Sequence, residues 1–266
     1  MAGYIGSKAV LLSTTAATVT GDATIGAGLT VNNDAATVLT VDRATSDGTL
    51  VDFKKSGTTV GSIGNYSGTG NTLLVGSSAS HLAISHDAAA YFPAAGQNTV
   101  KDNAIDLGRD ISRFKDLYLS GGVYLGGTGV ANLLDDYETG TWTPTVTFGN
   151  GSVGQSYTIR NGYYTKIGQS VHVTCYFAFS NKGTSVGTAY ITGLPFTSRG
   201  ANCYSAGSLH LNAVTFADWP QAWVITNSTS IQLQETTNAG TTTSLNEANF
   251  SNFSGVIFTA VYMTDQ

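Results

Sequence analysis

The feature that most constrains this chain is its punctuation. Through the first ninety or so residues, apolar runs of three to four residues recur at a spacing near ten, each closed off by Gly, Asn, Asp or Ser. Ala9 to Leu12, Ala17 to Val19, Leu29 to Val31, Val38 to Val41, Leu50 to Phe53, Val60 to Ile63, Leu73 to Val75 and Leu82 to Ile84 are all strand-sized. Turn chemistry such as Asn32-Asn33-Asp34 and Ser46-Asp47-Gly48 lies between them. No strict motif repeats, so a regular solenoid is not indicated. The pieces are rich in Ala and Thr and too small for one chain to bury much surface. At about 25 cal/mol per Å² of apolar burial against about 1.5 kcal/mol of entropy per ordered residue, such a segment needs other chains to complete its core. The expectation is an elongated, oligomeric β-structured stalk.

The second half alternates more strictly. In Ser170 to Phe179, Val171, Val173, Cys175, Phe177 and Phe179 share one face with period two, while His172, Thr174, Tyr176 and Ala178 share the other. Further strands are expected at Thr143 to Phe148, Gly162 to Ile167, Gly187 to Ile191, Ala206 to Leu211, Ala222 to Thr226, Ser230 to Gln234 and Gly255 to Tyr262. The last, apolar on both faces, suits a central strand or one lying against a neighbouring subunit. About eight strands with Gly, Asn and Pro turns form the pattern of a β-sandwich or jelly roll. Between the halves, Ile111, Phe114, Leu117 and Tyr118 follow helical spacing, so Arg109 to Tyr118 reads as a short amphipathic helix, with a second helical piece at Val130 to Tyr137. The fold class is therefore all-β, with a short helical connector. The segments are 21–108 for the shaft, 109–136 for the neck and 137–266 for a C-terminal head.

Composition narrows function by exclusion. Of 266 residues only 11% are charged, with 32 glycines and a formal net charge of −5. Twelve Lys and Arg against 17 Asp and Glu give no cationic cluster to displace counterions from a nucleic acid. No run approaches the roughly 18 apolar residues of a membrane helix, and Met1 to Thr15 lacks a signal-peptide pattern. The expectation is a protein without membrane insertion, made in the cytoplasm. Cys175 and Cys203 allow one disulfide at most, and Cys175 reads as a small core residue.

Catalytic signatures are not evident. The phosphate-loop motif is absent, and neither Gly21 to Gly28 nor Gly121 to Gly129 fits the dinucleotide fingerprint on a strand-to-helix turn. His81, His86 and Asp87 are the only close set of metal-ligand types and read as ordinary β-structure residues, although a histidine on a threefold axis would become three ligands. No cofactor is expected. Asp218, Glu235 and Glu247 are the acids from which a glycoside-cleaving pair would have to come. A different chemistry is better represented. Tyr204, Phe216, Trp219 and Trp223, close in sequence to Asp218, Asn202 and Asn212, place flat apolar rings beside hydrogen-bonding groups. That combination matches the C–H face and hydroxyl rim of a sugar. Trp223, within Ala-Trp-Val-Ile, reads as core, and Trp219 either meets ligand or anchors the turn at Pro220. The receptor-binding candidates are Tyr204, Phe216, Asp218 and Trp219.

Several strings resemble tail fibre proteins of tailed bacteriophages, especially marine ones. They are the opening Met-Ala-Gly-Tyr-Ile-Gly6, Asp102 to Gly108, Arg113 to Gly127, Leu133 to Pro144, Gly162 to Gly168 and Ile191 to Phe196. The resemblance implies a homotrimer in the virion. Its N-terminus, residues 1–20, would join the tail, baseplate or an adaptor protein, with Tyr4, Ile5, Leu11 and Leu12 as attachment candidates, and its distal head would adhere to a host surface glycan. It supplies no catalytic motif, so a non-enzymatic adhesin is expected. The alternatives are a purely structural fibre or collar protein and a glycan-depolymerising spike.

Overall fold

A computed structural model describes residues 30, 31, 37, 39–66, 71–77, 80–96, 99–200 and 202–265. The attachment candidates Tyr4, Ile5, Leu11 and Leu12, and the runs at 9–12 and 17–19, lie outside the described residues. The chain is all-β and divides into two compact units, Met1–Asp116 and Leu117–Gln266.

The first unit is an antiparallel meander of β1 (Thr49–Lys55), β2 (Thr58–Asn65), β3 (Thr72–Ser77), β4 (Ser80–Ser85), β5 (Ala90–Gly96) and β6 (Thr99–Val100), each paired with the next. Ser56 and Gly57, both at positive φ, make the two-residue turn between β1 and β2, whose backbone twist matches that of the flanking strands. Four of the expected runs fall within β1 to β4. This is a single layer. Its buried apolar cluster comprises Tyr66, Leu74, Ala83 and Ala94, with Phe92 packed against it. Phe53, Val60, Leu82 and Tyr91 are exposed.

The expected helix at Arg109 to Tyr118 is absent. Arg109 and Ser112 form an isolated β-bridge there, and Ile111, Phe114, Leu117 and Tyr118 are all exposed. Ten residues are too few for a helix to hold on its own, and among the described residues this apolar stripe is left uncovered. At 130–137 only a 3₁₀ turn, Val130–Asn132, is helical. It is flanked by the small β-pair of β7 (Val123–Tyr124) and β8 (Leu133–Leu134), and Tyr137 already begins a strand.

Beyond that small pair, the second unit contains β9 (Tyr137–Trp142), β10 (Thr145–Phe148), β11 (Gln155–Ile167), β12 (Ser170–Lys182), β13 (Ala189–Thr192), β14 (Ser205–Val214), β15 (Trp219–Val224), β16 (Ser230–Thr236), β17 (Thr242–Ser244) and β18 (Phe250–Met263). All eight expected strands are present. They do not form two separate sheets: one antiparallel ladder runs β10-β13-β16-β15-β14-β18-β12-β11-β9, with β17 also on β16. The sheet curls until its two ends, β9 and β10, lie two residues apart along the chain. Pro144, which has no N–H to donate, marks that bend. Side chains close the seam where the ladder stops. Tyr157 Oη accepts from Val146 N at 3.1 Å and donates to Gln155 Oε1 at 2.7 Å. Arg160 donates to Pro144 O at 2.8 Å and to Thr145 Oγ1, with its guanidinium 4.6 Å above the Tyr157 ring.

The curl encloses one core. The predicted inward face of β12, Val171 through Phe179, is buried together with Val256, Phe258, Ala260 and Tyr262 of β18 and Ile231 and Leu233 of β16. Phe148 on β10 meets Phe179 at 6.4 Å and Phe250 at 5.3 Å, so the facing walls interdigitate as in a sandwich. β18 is central, paired on both edges, but it is not buried on both faces, because Ile257 and Val261 are exposed. Gly207 on β14 is where the Phe258 ring crosses the strand, and a Cβ there would overlap the ring.

Candidate functional site: an aromatic cleft at the head of β15

The four receptor-binding candidates separate into two places. Phe216, Asp218 and Trp219 share a cleft of about 430 Å³ with Ala217, Pro220 and Asn238. Tyr204 is elsewhere, with its ring centroid 5.7 Å from that of Trp223 at an interplanar angle of 49°.

The loop carrying Phe216 and Asp218 is tied down at both ends. Upstream, a β-bulge at Ala213, which takes a positive φ of 52°, turns the chain out of β14, and the buried Ser254 hydroxyl donates to its carbonyl. Thr215 N donates to Asn249 O at 2.8 Å, and Asn249 Nδ2 returns a bond to Thr215 O at 2.7 Å. Downstream, one carboxylate oxygen of Glu235 accepts from Ala217 N at 2.7 Å and from Asp218 N at 3.3 Å. Trp219 then opens β15, paired with Thr236 of β16. Asn238 comes from the β16–β17 hairpin, whose turn is closed by Thr237 N on Thr241 O at 2.9 Å, with Gly240 at positive φ. Trp219 is 68% exposed, and Phe216 is exposed beside it. Two adjacent rings open to water on a pinned loop, beside Asp218 and Asn238, are suited to stacking against a ligand.

Trp223 is not a core residue. Ala222 and Val224 are buried in the curl, so alternation turns Trp219, Gln221 and Trp223 to the outer face, where Trp223 is half-buried under Tyr204. Asn202 lies two residues before Tyr204 at a positive φ of 65°. Asn212 is exposed on β14, outside the cleft lining.

The acids have structural employment. Glu247 Oε2 accepts from Gly187 N at 2.6 Å, and that bond, followed by one from its own backbone N–H, holds its carboxyl below the ordinary value. His86 Nδ1 lies 3.2 Å from Asp87 Oδ1. That contact first, and the Asn71 N–H second, lower the Asp87 carboxyl. Among the described residues, no three or more His, Cys, Asp or Glu side chains are grouped to hold a metal ion. Cys175 and Cys203 are both free thiols, and burial pushes the Cys175 thiol up to about 12.

No family model, curated protein or solved structure matches this chain. Among the described residues, no helix is long and apolar enough to cross a membrane.

Proposed function

We propose that the chain is a bacteriophage tail fibre subunit, a homotrimeric virion component that adheres through its C-terminal unit to a glycan on the host cell surface. The observation that carries the adhesive role is Trp219, exposed beside Phe216, Asp218 and Asn238 on a loop fixed by Glu235 and Asn249. Flat rings bordered by amide and carboxylate groups are the surface a sugar ring needs. The strings at 102–108, 113–127 and 133–144 support the virion setting through their resemblance to fibre proteins. The trimer is supported by the first unit, on whose single sheet Phe53, Val60, Leu82 and Tyr91 are exposed. The role is binding, not hydrolysis. Glu235 and Glu247, two of the acids a glycosidase would need, serve as acceptors for backbone N–H groups that hold loops in place.

The test is adsorption of the fluorescently labelled full chain to a panel of bacterial strains. At least one strain binds the wild type saturably, and Phe216→Ala with Trp219→Ala lowers that binding at least tenfold while sedimentation still shows three chains. A double variant that adsorbs as well as the wild type overturns the site. A folded trimer that adsorbs to no strain but binds virion proteins replaces the adhesin with a structural collar. Release of oligosaccharide from host polysaccharide replaces it with a depolymerase.

A further inference from the structure

The cleft is one end of a longer surface. On the outer face of β15 the alternation runs Trp219, Gln221, Trp223, and the register sets Thr236, Gln234 and Gln232 of β16 directly beside them. Aromatic groups therefore stand at both ends of the strip, Trp219 with Phe216 at one and Trp223 with Tyr204 at the other. A row of amides lies between. The amides are held in place: Thr236 Oγ1 donates to Gln221 Oε1 at 3.1 Å, and Gln232 Nε2 donates to Ser244 Oγ at 2.9 Å. Trp219 and Trp223 are four residues apart on one strand, which separates their Cα atoms by about 13 Å.

We propose that this strip binds a linear, neutral oligosaccharide laid along β15, with one sugar ring on the Trp219 platform and a later ring on the Tyr204–Trp223 platform. The proposal rests on the adhesive reading above and narrows its ligand. Length follows from the spacing, since a single pyranose ring cannot reach both platforms and a short chain of them can. Neutrality follows from the charges. β13, β15, β16 and β17 contain no Lys or Arg, and the acids near the strip, Asp218 and Glu235, repel carboxylate or sulfate groups. The four cations of the second unit are committed elsewhere. Arg160 bonds to Pro144 and Thr145, Lys166 to Asp136, Lys182 to the Glu247 carbonyl at 3.0 Å, and Arg199 to Asp265 at 2.6 Å. The polar row between the platforms also breaks the strip as an apolar patch, which distinguishes it from a protein-docking face. It supplies amide donors and acceptors for the hydroxyl rim of the central sugar.

Titration of the full chain by calorimetry and tryptophan fluorescence tests this, with mono- to hexasaccharides of the gluco-, manno- and chito-series as neutral probes and oligogalacturonates as the acidic one. At least one neutral series gains tenfold or more in affinity between mono- and trisaccharide, and the gain is insensitive to salt. Trp219→Ala and Trp223→Ala each reduce trisaccharide affinity to that of the monosaccharide, whereas Trp223→Tyr, which preserves a ring and the fold, retains most of it. Affinity independent of length, preference for oligogalacturonate, or trisaccharide binding untouched by Trp223→Ala overturns the proposal. If the chain adsorbs to cells yet binds none of the neutral series, the adhesive reading stands and this one falls. If it does neither, both fall.

Discussion

The two units are built from the same kind of strand and differ in what the strands can cover. In the first, six strands follow one another in one meander, and the buried cluster is Tyr66, Leu74, Ala83 and Ala94. In the second, ten strands curl until the two ends of the ladder lie two residues apart along the chain, and whole aromatic side chains such as Phe148, Phe177, Phe258 and Tyr262 become fully buried. The difference comes from side-chain size. Ala, Thr and Gly on the first unit's strands give too little apolar volume to draw a sheet round on itself, while alternating Val and Phe on β12 and β18 give enough. Closure makes a self-sufficient unit, and an open sheet leaves its faces for others to cover.

The sharpest way to break that contrast is dilution. Amide hydrogen exchange on the full chain, measured over a hundredfold range of concentration, is expected to show β1 to β5 losing protection on dilution while β12 and β18 keep theirs. If association stabilises the first unit, as proposed, mass action removes that stabilisation on dilution. Equal protection of both units at the lowest concentration would mean that the first unit stands alone, and the case for a trimer built on it would be lost.

Single substitutions sharpen the contrast at smaller cost. Phe177→Ala empties a site that is fully buried and touches Tyr157 and Phe179, so it should lower the stability of the second unit by about 3–5 kcal/mol. Phe53→Ala should change the stability of a single chain by only about 0.5 kcal/mol, because half of that side chain is already in water. If the first unit associates through the face that carries Phe53, the same change instead shifts the midpoint of the dilution curve to higher concentration. Denaturant unfolding followed separately in the two units distinguishes these outcomes.

How far the sequence reached depends on how local each determinant is. Period two along Ser170 to Phe179 is carried by adjacent residues, and β12 was legible from them together with its inward face. β5 was not, because Ala90 to Gly96 places Pro93 and three alanines where a strand usually carries β-branched residues, and its partner β4 supplies the reason it forms. The single curled ladder was hidden for a similar reason. Its seam is held by Arg160 of β11 on Pro144 of the β9–β10 bend and by Tyr157 of β11 on Val146 of β10, contacts between residues distant in sequence. Helical spacing at Arg109 to Tyr118 was present, but its apolar side chains are exposed among the described residues, and spacing alone does not make a helix. The site divides along the same line. Phe216, Asp218 and Trp219 lie within four residues and were found together, whereas Asn238 arrives from a hairpin, and the outward turn of Trp223 follows from which face of β15 the curled sheet buries.

The smallest expected difference between the units concerns alkali. Cys175 faces the core of the second unit, and burial raises its thiol from an ordinary value of 9.0 to about 12, while Tyr157 and Tyr262 are raised by the same cause, Tyr262 to about 12. Groups whose pKa is higher in the folded state keep their protons when the unfolded chain has lost them. Their contribution is complete below the unfolded value and falls away as pH rises from 9 towards 12. For the thiol alone the loss is about 1 kcal/mol between pH 9 and pH 10, and the tyrosines, half ionised in the unfolded chain at pH 10, add a smaller loss of the same sign. The first unit contains no cysteine, so this component belongs to the second. Denaturant midpoints of the second unit taken at pH 8, 9 and 10 should fall in wild type and fall less in Cys175→Val, which keeps an apolar side chain of similar size without the thiol. Native Cys203 should react with a maleimide while Cys175 reacts only after unfolding. A midpoint with the same pH dependence in both proteins would place the alkaline sensitivity outside the curled core, and would remove one of the differences between a unit that closes on itself and one that does not.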